Sequence, residues 1–296
     1  MILDTIAESN RKRVNKAKEI LPLEELKKII YDGAGVRCFN NRNAFAFERA
    51  IRKNMAMYSE QQNSNREADK NAINQQTCRQ EDITFICEVK KASPSKGIIS
   101  EEFPYLTIAK DYEKAGADAI SVLTEPEYFK GSNEILREIS DLVRIPVLRK
   151  DFIIDEYQIY ETKTIGADAV LLICTLLDTD TLKRYIGICN ELGLSALVEA
   201  HTEEEVASAR KAGARMIGVN NRNLQTFEVD LQNSIKLRSL VPPEIIFIAE
   251  SGIRSTEDIQ ELCKAGVNAV LIGESLMRSE NKKEMIQKLK NFTTFD

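Results

Sequence analysis

Two lysines and three glutamates stand where short apolar runs end: Glu88 and Lys90 after Phe85, Lys150 after Pro146, Glu199 after Ser195 and Glu250 after Ile245. Residue types of this kind run proton transfer. An ammonium donates near neutral pH if burial or a second cation lowers its pKa, and a carboxylate in a partly dry pocket rises towards neutrality and accepts. Asn220, Ser251 and the pair Gly273-Glu274 close further runs of the same kind. Bringing three carboxylates, two lysines and an amide together costs more than a structural core tolerates, so the arrangement predicts a site. The densest segment is Cys87-Glu-Val-Lys-Lys-Ala-Ser-Pro-Ser-Lys-Gly97. On a strand Glu88 and Lys90 share a face while Lys91 points the other way. The following Ser93-Pro94-Ser95-Lys96-Gly97 reads as a turn that sets hydroxyls and an ammonium over a cavity. Taken alone, the segment also fits a plain salt-bridged strand end.

Eight elements must hold these groups. The apolar runs are Phe85–Lys90, Ala119–Leu123, Pro146–Lys150, Ala169–Ile173, Ser195–Glu199, Met216–Asn220, Ile245–Glu250 and Val267–Ile272, recurring about every 20 to 33 residues. Most are too short and too rich in Val and Ile to be buried helices. Four carry the same approach, Lys114-Ala-Gly-Ala-Asp, Thr164-Ile-Gly-Ala-Asp, Lys211-Ala-Gly-Ala-Arg and Lys264-Ala-Gly-Val-Asn, in which a Gly ends a helix just before a strand. Repeated alternation without a Gly-x-Gly-x-x-Gly turn predicts an α/β fold of the closed (β/α)8 TIM-barrel type over residues 85–296, rather than an open doubly wound sheet. In such a barrel the C-terminal strand ends share one mouth, which is where the charged closers fall.

Residues 1–84 precede the barrel as a helical extension. Ile2, Leu3, Ile6, Val14 and Ala17 predict one amphipathic helix over 1–20, with Arg11, Lys12, Arg13, Lys16 and Lys18 solvated. Pro22 breaks it, Leu23–Tyr31 restarts a short helix, and a third from Asn43 carries Phe45, Phe47, Ile51 and Met55. These helices are expected to cap the bottom of the barrel or flank its mouth. Residues 60–80 are so polar that they read as a mobile surface insertion.

Composition narrows the partner. Acidic residues outnumber basic ones 46 to 41, and the net charge of −5 argues against nucleic acid or an anionic membrane. No window approaches the roughly 18 apolar residues of a membrane span, and the N-terminus lacks a basic signal region, so a cytoplasmic protein acting on a small molecule is expected. Six cysteines without a Cys-x-x-Cys pair read as reduced thiols, and one histidine, His201, cannot supply a catalytic dyad and a metal site together. The expectation is chemistry without metal or cofactor.

Further strand-end motifs are Arg149-Lys-Asp-Phe152, Leu197-Val-Glu-Ala-His201, Gly218-Val-Asn-Asn-Arg-Asn-Leu224, Ala249-Glu-Ser-Gly-Ile253 and Leu271-Ile-Gly-Glu-Ser-Leu-Met277. With Cys87–Gly97 and the aromatic segment Ser121–Ser132, they resemble the indole-3-glycerol phosphate synthase family, from the first helix to the last strand. The resemblance implies closure of an indole ring on 1-(2-carboxyphenylamino)-1-deoxyribulose 5-phosphate, with loss of CO₂ and water. Lys150 then matches the general acid and Glu199 the group that moves protons during dehydration. Glu88 and Asn220 match the holders of the substrate hydroxyls, and Lys90 the cation near its anionic groups. Ser93, Phe129, Arg222, Leu224, Glu250 and Ser251 match pocket positions, and Gly252, Gly273 and Glu274 the phosphate cradle. Glu274 stands where some relatives have Ser, which a backbone cradle tolerates if its carboxylate turns away. The implied protein is a monomer or weak dimer. Two other uses stay open from the residues themselves: a Schiff base on Lys150, as in aldolases, and another phosphate-handling barrel such as a sugar-phosphate isomerase.

Overall fold

In the computed structural model, residues 2–32, 42–52, 83–223 and 226–291 are described. Eight parallel strands form a closed barrel: β1 (Thr84–Val89), β2 (Ala119–Leu123), β3 (Val147–Lys150), β4 (Ala169–Ile173), β5 (Ser195–Ala200), β6 (Met216–Asn220), β7 (Ile246–Glu250) and β8 (Ala269–Ile272), with β8 pairing back onto β1. The barrel reading therefore holds, and strand limits fall within two residues of the apolar runs. Between the strands lie α4 (Tyr105–Lys114), α5 (Asn133–Leu142), α6 (Glu156–Thr164), α7 (Thr179–Glu191), α8 (Glu203–Lys211), α9 (Gln232–Arg238) and α10 (Thr256–Lys264), and α11 (Glu274–Arg278) and α12 (Lys282–Lys290) follow β8.

The repeated Gly joint has one geometry. After α4, Gly116 takes φ 89°, its N–H donates to Glu113 O, and Ala117 N–H donates to Tyr112 O. The left-handed conformation costs Gly no Cβ clash, and the two bonds satisfy carbonyls the helix leaves open. Gly166, Gly213 and Gly266 repeat it before β4, β6 and β8.

Alternation along each strand sorts side chains into two layers. Phe85, Cys87 and Val89 pack outward against the helices, while Ile86 joins Leu148, Leu171, Leu197, Met216, Ile248 and Leu271 in the barrel interior. The same parity turns Glu88, Lys150, Glu199, Asn220 and Glu250 inward, one step beyond that apolar floor.

The extension splits between the two ends. Phe47 and Ile51, on a helix at 46–52 (α3), join the interior cluster, and Glu48 N–H donates to Ser195 Oγ at the start of β5 (3.2 Å), so α3 plugs the bottom. Helix α1 (Ile2–Ile20) flanks the mouth instead: Asn10 Nδ2 donates to Phe152 O (2.7 Å), and Arg13 makes a two-pronged bond to Asp151 (2.8 and 2.7 Å). Helix α2 (Leu23–Tyr31) packs against α6. Arg13 and Lys18, the latter 2.7 Å from Asp155, are thus not a solvated face, because Asp151 just past β3 and Asp155 at the N-cap of α6 claim them. Periodicity within one helix carries no information about such partners.

Cys87, Cys174 and Cys189 are free. Cys263 is disulfide-bonded, which corrects the expectation of reduced thiols throughout. Residues 60–80 and Met55 also lie outside the described residues. No helix among those described is long and apolar enough to cross a membrane.

Candidate active site

The strand ends open on a cavity of about 440 Å³. Glu88, Lys90, Lys150, Glu199 and Asn220 line it, with Ser93, Phe129, Arg222, Ser251, Gly252, Gly273 and Glu274 around them. Glu250 lies just beneath, reaching Lys150 from the β7 end. Leu224 lies outside the described residues. Every other residue singled out from the sequence is therefore brought to one mouth.

Its centre is the Lys150 ammonium. Nζ donates to Glu250 Oε2 at 3.1 Å and stands 3.7 Å from Glu199 Oε2 and 3.9 Å from Glu88 Oε2. Lys90 pairs with the other oxygen of Glu88. Register explains the convergence, since Glu199 is level with Gly218 and Asn220 with Glu250. Gly218 is needed for space: a Cβ there would overlap the Glu250 carboxylate. Gly273 does the same for Glu88, so it serves the charged centre as well as the rim.

Counting charges shows which groups shift. Burial works to neutralise Lys150, but Glu250, Glu199 and Glu88 outweigh it and hold the ammonium above its ordinary range. The condition of a lowered lysine pKa is therefore not met: one cation shared by three carboxylates is stabilised, and Lys90 is itself engaged by Glu88. Burial also works against ionised Glu88, yet Lys90 and then Lys150 draw its carboxyl below the usual range. Glu250 is the carboxyl left short of compensation. Burial pushes it up to about 7, with Glu199 and Glu88 adding and Lys150 opposing.

A raised carboxyl ties stability to pH with a definite sign. The folded chain holds the Glu250 proton more tightly than the unfolded chain does. Its contribution is complete below the ordinary 4.5 and is lost as pH rises through about 7. Thermal unfolding of the wild type relative to Glu250→Gln is expected to fall across that window and flatten above it. A difference that does not change with pH contradicts the assignment.

At the other rim, Glu274 is bound rather than free. Its carboxylate lies 3.4 Å from Arg222, 3.3 Å from Arg278 and 3.9 Å from Lys96. Ser251 and Gly252 both have positive φ, 66° and 86°, which turns the chain sharply after β7.

Some neighbours were given no place in the pocket by the sequence. Phe152 lines the pocket beside Phe129, their rings tilted with centres 6.0 Å apart, and Ile2, Leu3 and Ile6 of α1 add an apolar wall. Glu125, fully buried, accepts the backbone N–H groups of Glu127, Tyr128 and Phe129 at 2.9, 2.8 and 3.0 Å and so shapes the loop that presents Phe129. Asp151 is bonded by Arg13, Asn10, Thr124 and Arg149, which fixes the chain beside Lys150. Apart from the acidic residue next to Lys150, no local pattern marks these roles.

Solved structures of low identity share this fold. KGPDC from Streptococcus mutans aligns with TM-score 0.55 at 14% identity, covering 71% of this chain and 96% of that one. The N-acetylmannosamine-6-phosphate 2-epimerase of Clostridium perfringens aligns with TM-score 0.52 at 14%, covering 70% and 93%. Sequence relatives are far nearer. The indole-3-glycerol phosphate synthase of Ruminiclostridium cellulolyticum is 53% identical across 98% of this chain and 99% of its own length, and that of Endomicrobium trichonymphae is 62% identical across 71% and 81%. The family model for indole-3-glycerol phosphate synthase matches residues 42–289, a span that holds all the strand-end motifs, and with those identities the chain belongs to that family.

Proposed function

We propose that this chain is the carbon–carbon lyase that closes the indole ring of 1-(2-carboxyphenylamino)-1-deoxyribulose 5-phosphate. The observation that carries the reading is the Lys150 ammonium held among three carboxylates at the floor of an aromatic-walled pocket. Attack of the carboxyl-bearing ring carbon on the ketone develops charge on the ketone oxygen, and Lys150 supplies the proton there. A lysine held above its ordinary pKa still serves, because the alkoxide it neutralises is a far stronger base than an amine. Departure of the carboxylate as CO₂ restores the aromatic ring. The former ketone oxygen then leaves as water while the carbon beside nitrogen loses a proton, and Glu199 is the carboxylate placed for these transfers.

The remaining residues position the substrate. Glu88 and Asn220 hold its hydroxyls, Lys90 faces the carboxylate that will leave, and Phe129 flanks the aromatic ring. Ser93, Arg222, Glu250 and Ser251 complete the pocket. The phosphate lies at the rim between Gly252 and Gly273-Glu274, with the Glu274 carboxylate kept aside by Arg222 and Arg278. The same cluster speaks against a Schiff base, since the nucleophile there is a neutral amine and three carboxylates favour the ammonium.

Adding the substrate to purified protein is expected to produce indole fluorescence. Substrate consumed without an indole product contradicts the reading. Inorganic phosphate is expected to compete, raising the apparent KM and leaving kcat unchanged, because it would occupy the place of the substrate phosphate and excess substrate would displace it. Inhibition that excess substrate does not relieve would move the phosphate away from this rim.

A further inference from the structure

Glu199 has two carboxylate oxygens, and only Oε2 faces Lys150. The other, Oε1, lies 3.5 Å from His201 Nε2, and across the ring His201 Nδ1 lies 3.3 Å from Glu205 Oε2. His201 is two residues past Glu199, on the same side of the chain as β5 ends. Both ring nitrogens are buried without a hydrogen bond among the described residues, so the two carboxylates are what they face. Glu205 is held in place: its Oε2 accepts the His201 N–H and its Oε1 the Thr175 hydroxyl, each at 2.6 Å, while Asn233 donates to the His201 carbonyl at 3.2 Å. Side-chain exposure rises along the row, from 3% at Glu199 to 14% at His201 and 19% at Glu205. Neither His201 nor Glu205 lines the cavity.

We propose that His201 and Glu205 form a proton-return path from solvent to Glu199, distinct from the mouth through which substrate enters. The proposal rests on the ring-closure reading, whose proton balance requires a supply. Two protons go onto the ketone oxygen before it leaves as water, one is recovered from the carbon beside nitrogen, and the carboxylate departs as neutral CO₂. Each turnover therefore consumes one proton from solvent, while the substrate itself blocks the mouth. Glu205 passes a proton to Nδ1 while Nε2 passes one to Glu199 Oε1, which leaves the ring as its Nδ1–H tautomer; a half-turn about Cβ–Cγ then presents that N–H to Glu199 and the bare nitrogen to Glu205 for the next turnover.

The surroundings suit that task. Burial alone lowers the imidazole pKa, but Glu205 on α8, Glu199 on β5 and Glu250 on β7 outweigh it and raise it, which favours uptake. Cys174, just past β4, is pushed up to about 12 by burial and stays a neutral thiol, so it does not compete for the proton. His201 acts through Glu199 and is a positioning residue, not a catalytic one.

The test compares His201→Ala and Glu205→Gln with the wild type in full-length protein, following indole formation against pH and against added imidazole. Both variants are expected to lose about tenfold or more in kcat, most at high pH, with KM nearly unchanged. In His201→Ala the loss is expected to recover in proportion to imidazolium concentration, whereas a non-titrating salt has no effect. Wild-type kcat in both variants, a loss expressed in KM, or a kcat loss that imidazole does not restore overturns the relay. A wild-type chain that forms no indole overturns the ring-closure reading as well, whereas an active wild type beside unaffected variants overturns the relay alone.

Discussion

Methionine in place of Lys150 is expected to lower kcat by about 10²- to 10⁴-fold with a much smaller change in KM, the signature of a lost general acid. Lys90 does not substitute for it, because its ammonium is engaged by Glu88 on the β1 side of the mouth. Methionine keeps the length of the side chain, so packing against the apolar floor is preserved. What changes is the charge count. Glu250, Glu199 and Glu88 would face one another without the shared cation, and the folded variant is expected to take up protons and lose stability as pH rises. Steady-state kinetics and thermal unfolding across pH check both halves. Near-normal turnover would remove Lys150 from the mechanism.

Glutamine in place of Glu199 is expected to lower kcat by about 10²-fold or more through a different step. Removing one of the carboxylates beside Lys150 leaves the ammonium a slightly stronger acid, so ring closure is not slowed. Dehydration, which needs a carboxylate to move protons, becomes the bottleneck. Single-turnover experiments are expected to show a ring-closed, still hydrated species accumulating before indole fluorescence appears. A rise in KM with kcat intact would make Glu199 a residue that only positions substrate. A change confined to melting temperature would make it a strand-end salt bridge.

Much of this site was legible because strand parity converts spacing into direction. Glu88 and Lys90 two apart, or Glu199 at the end of Ser195–Glu199, point inward wherever Ile86 and Leu197 do, and the apolar floor confirms that parity. The Gly joints were legible for a similar reason, since a helix end followed by a strand leaves few choices for the residue between them. What could not be read was pairing across elements. Nothing in α1 shows that Arg13 binds Asp151, and nothing beside Pro126 shows that the Glu125 carboxylate gathers three backbone N–H groups. The direction of the Lys150 shift was not legible for the same reason: it depends on how many carboxylates share one ammonium, a count fixed only when β1, β5 and β7 close on each other.

The central claim is that protonation of the ketone by Lys150 drives ring closure, and that decarboxylation follows from it. Rapid-quench single turnover with carboxyl-labelled substrate tests this directly, comparing wild type with Lys150→Met. The expected result is CO₂ release that keeps pace with ring closure in the wild type, and loss of both together in the variant. Release of labelled CO₂ from the variant at the wild-type rate would contradict the account, because the carboxylate would then leave without the Lys150 proton.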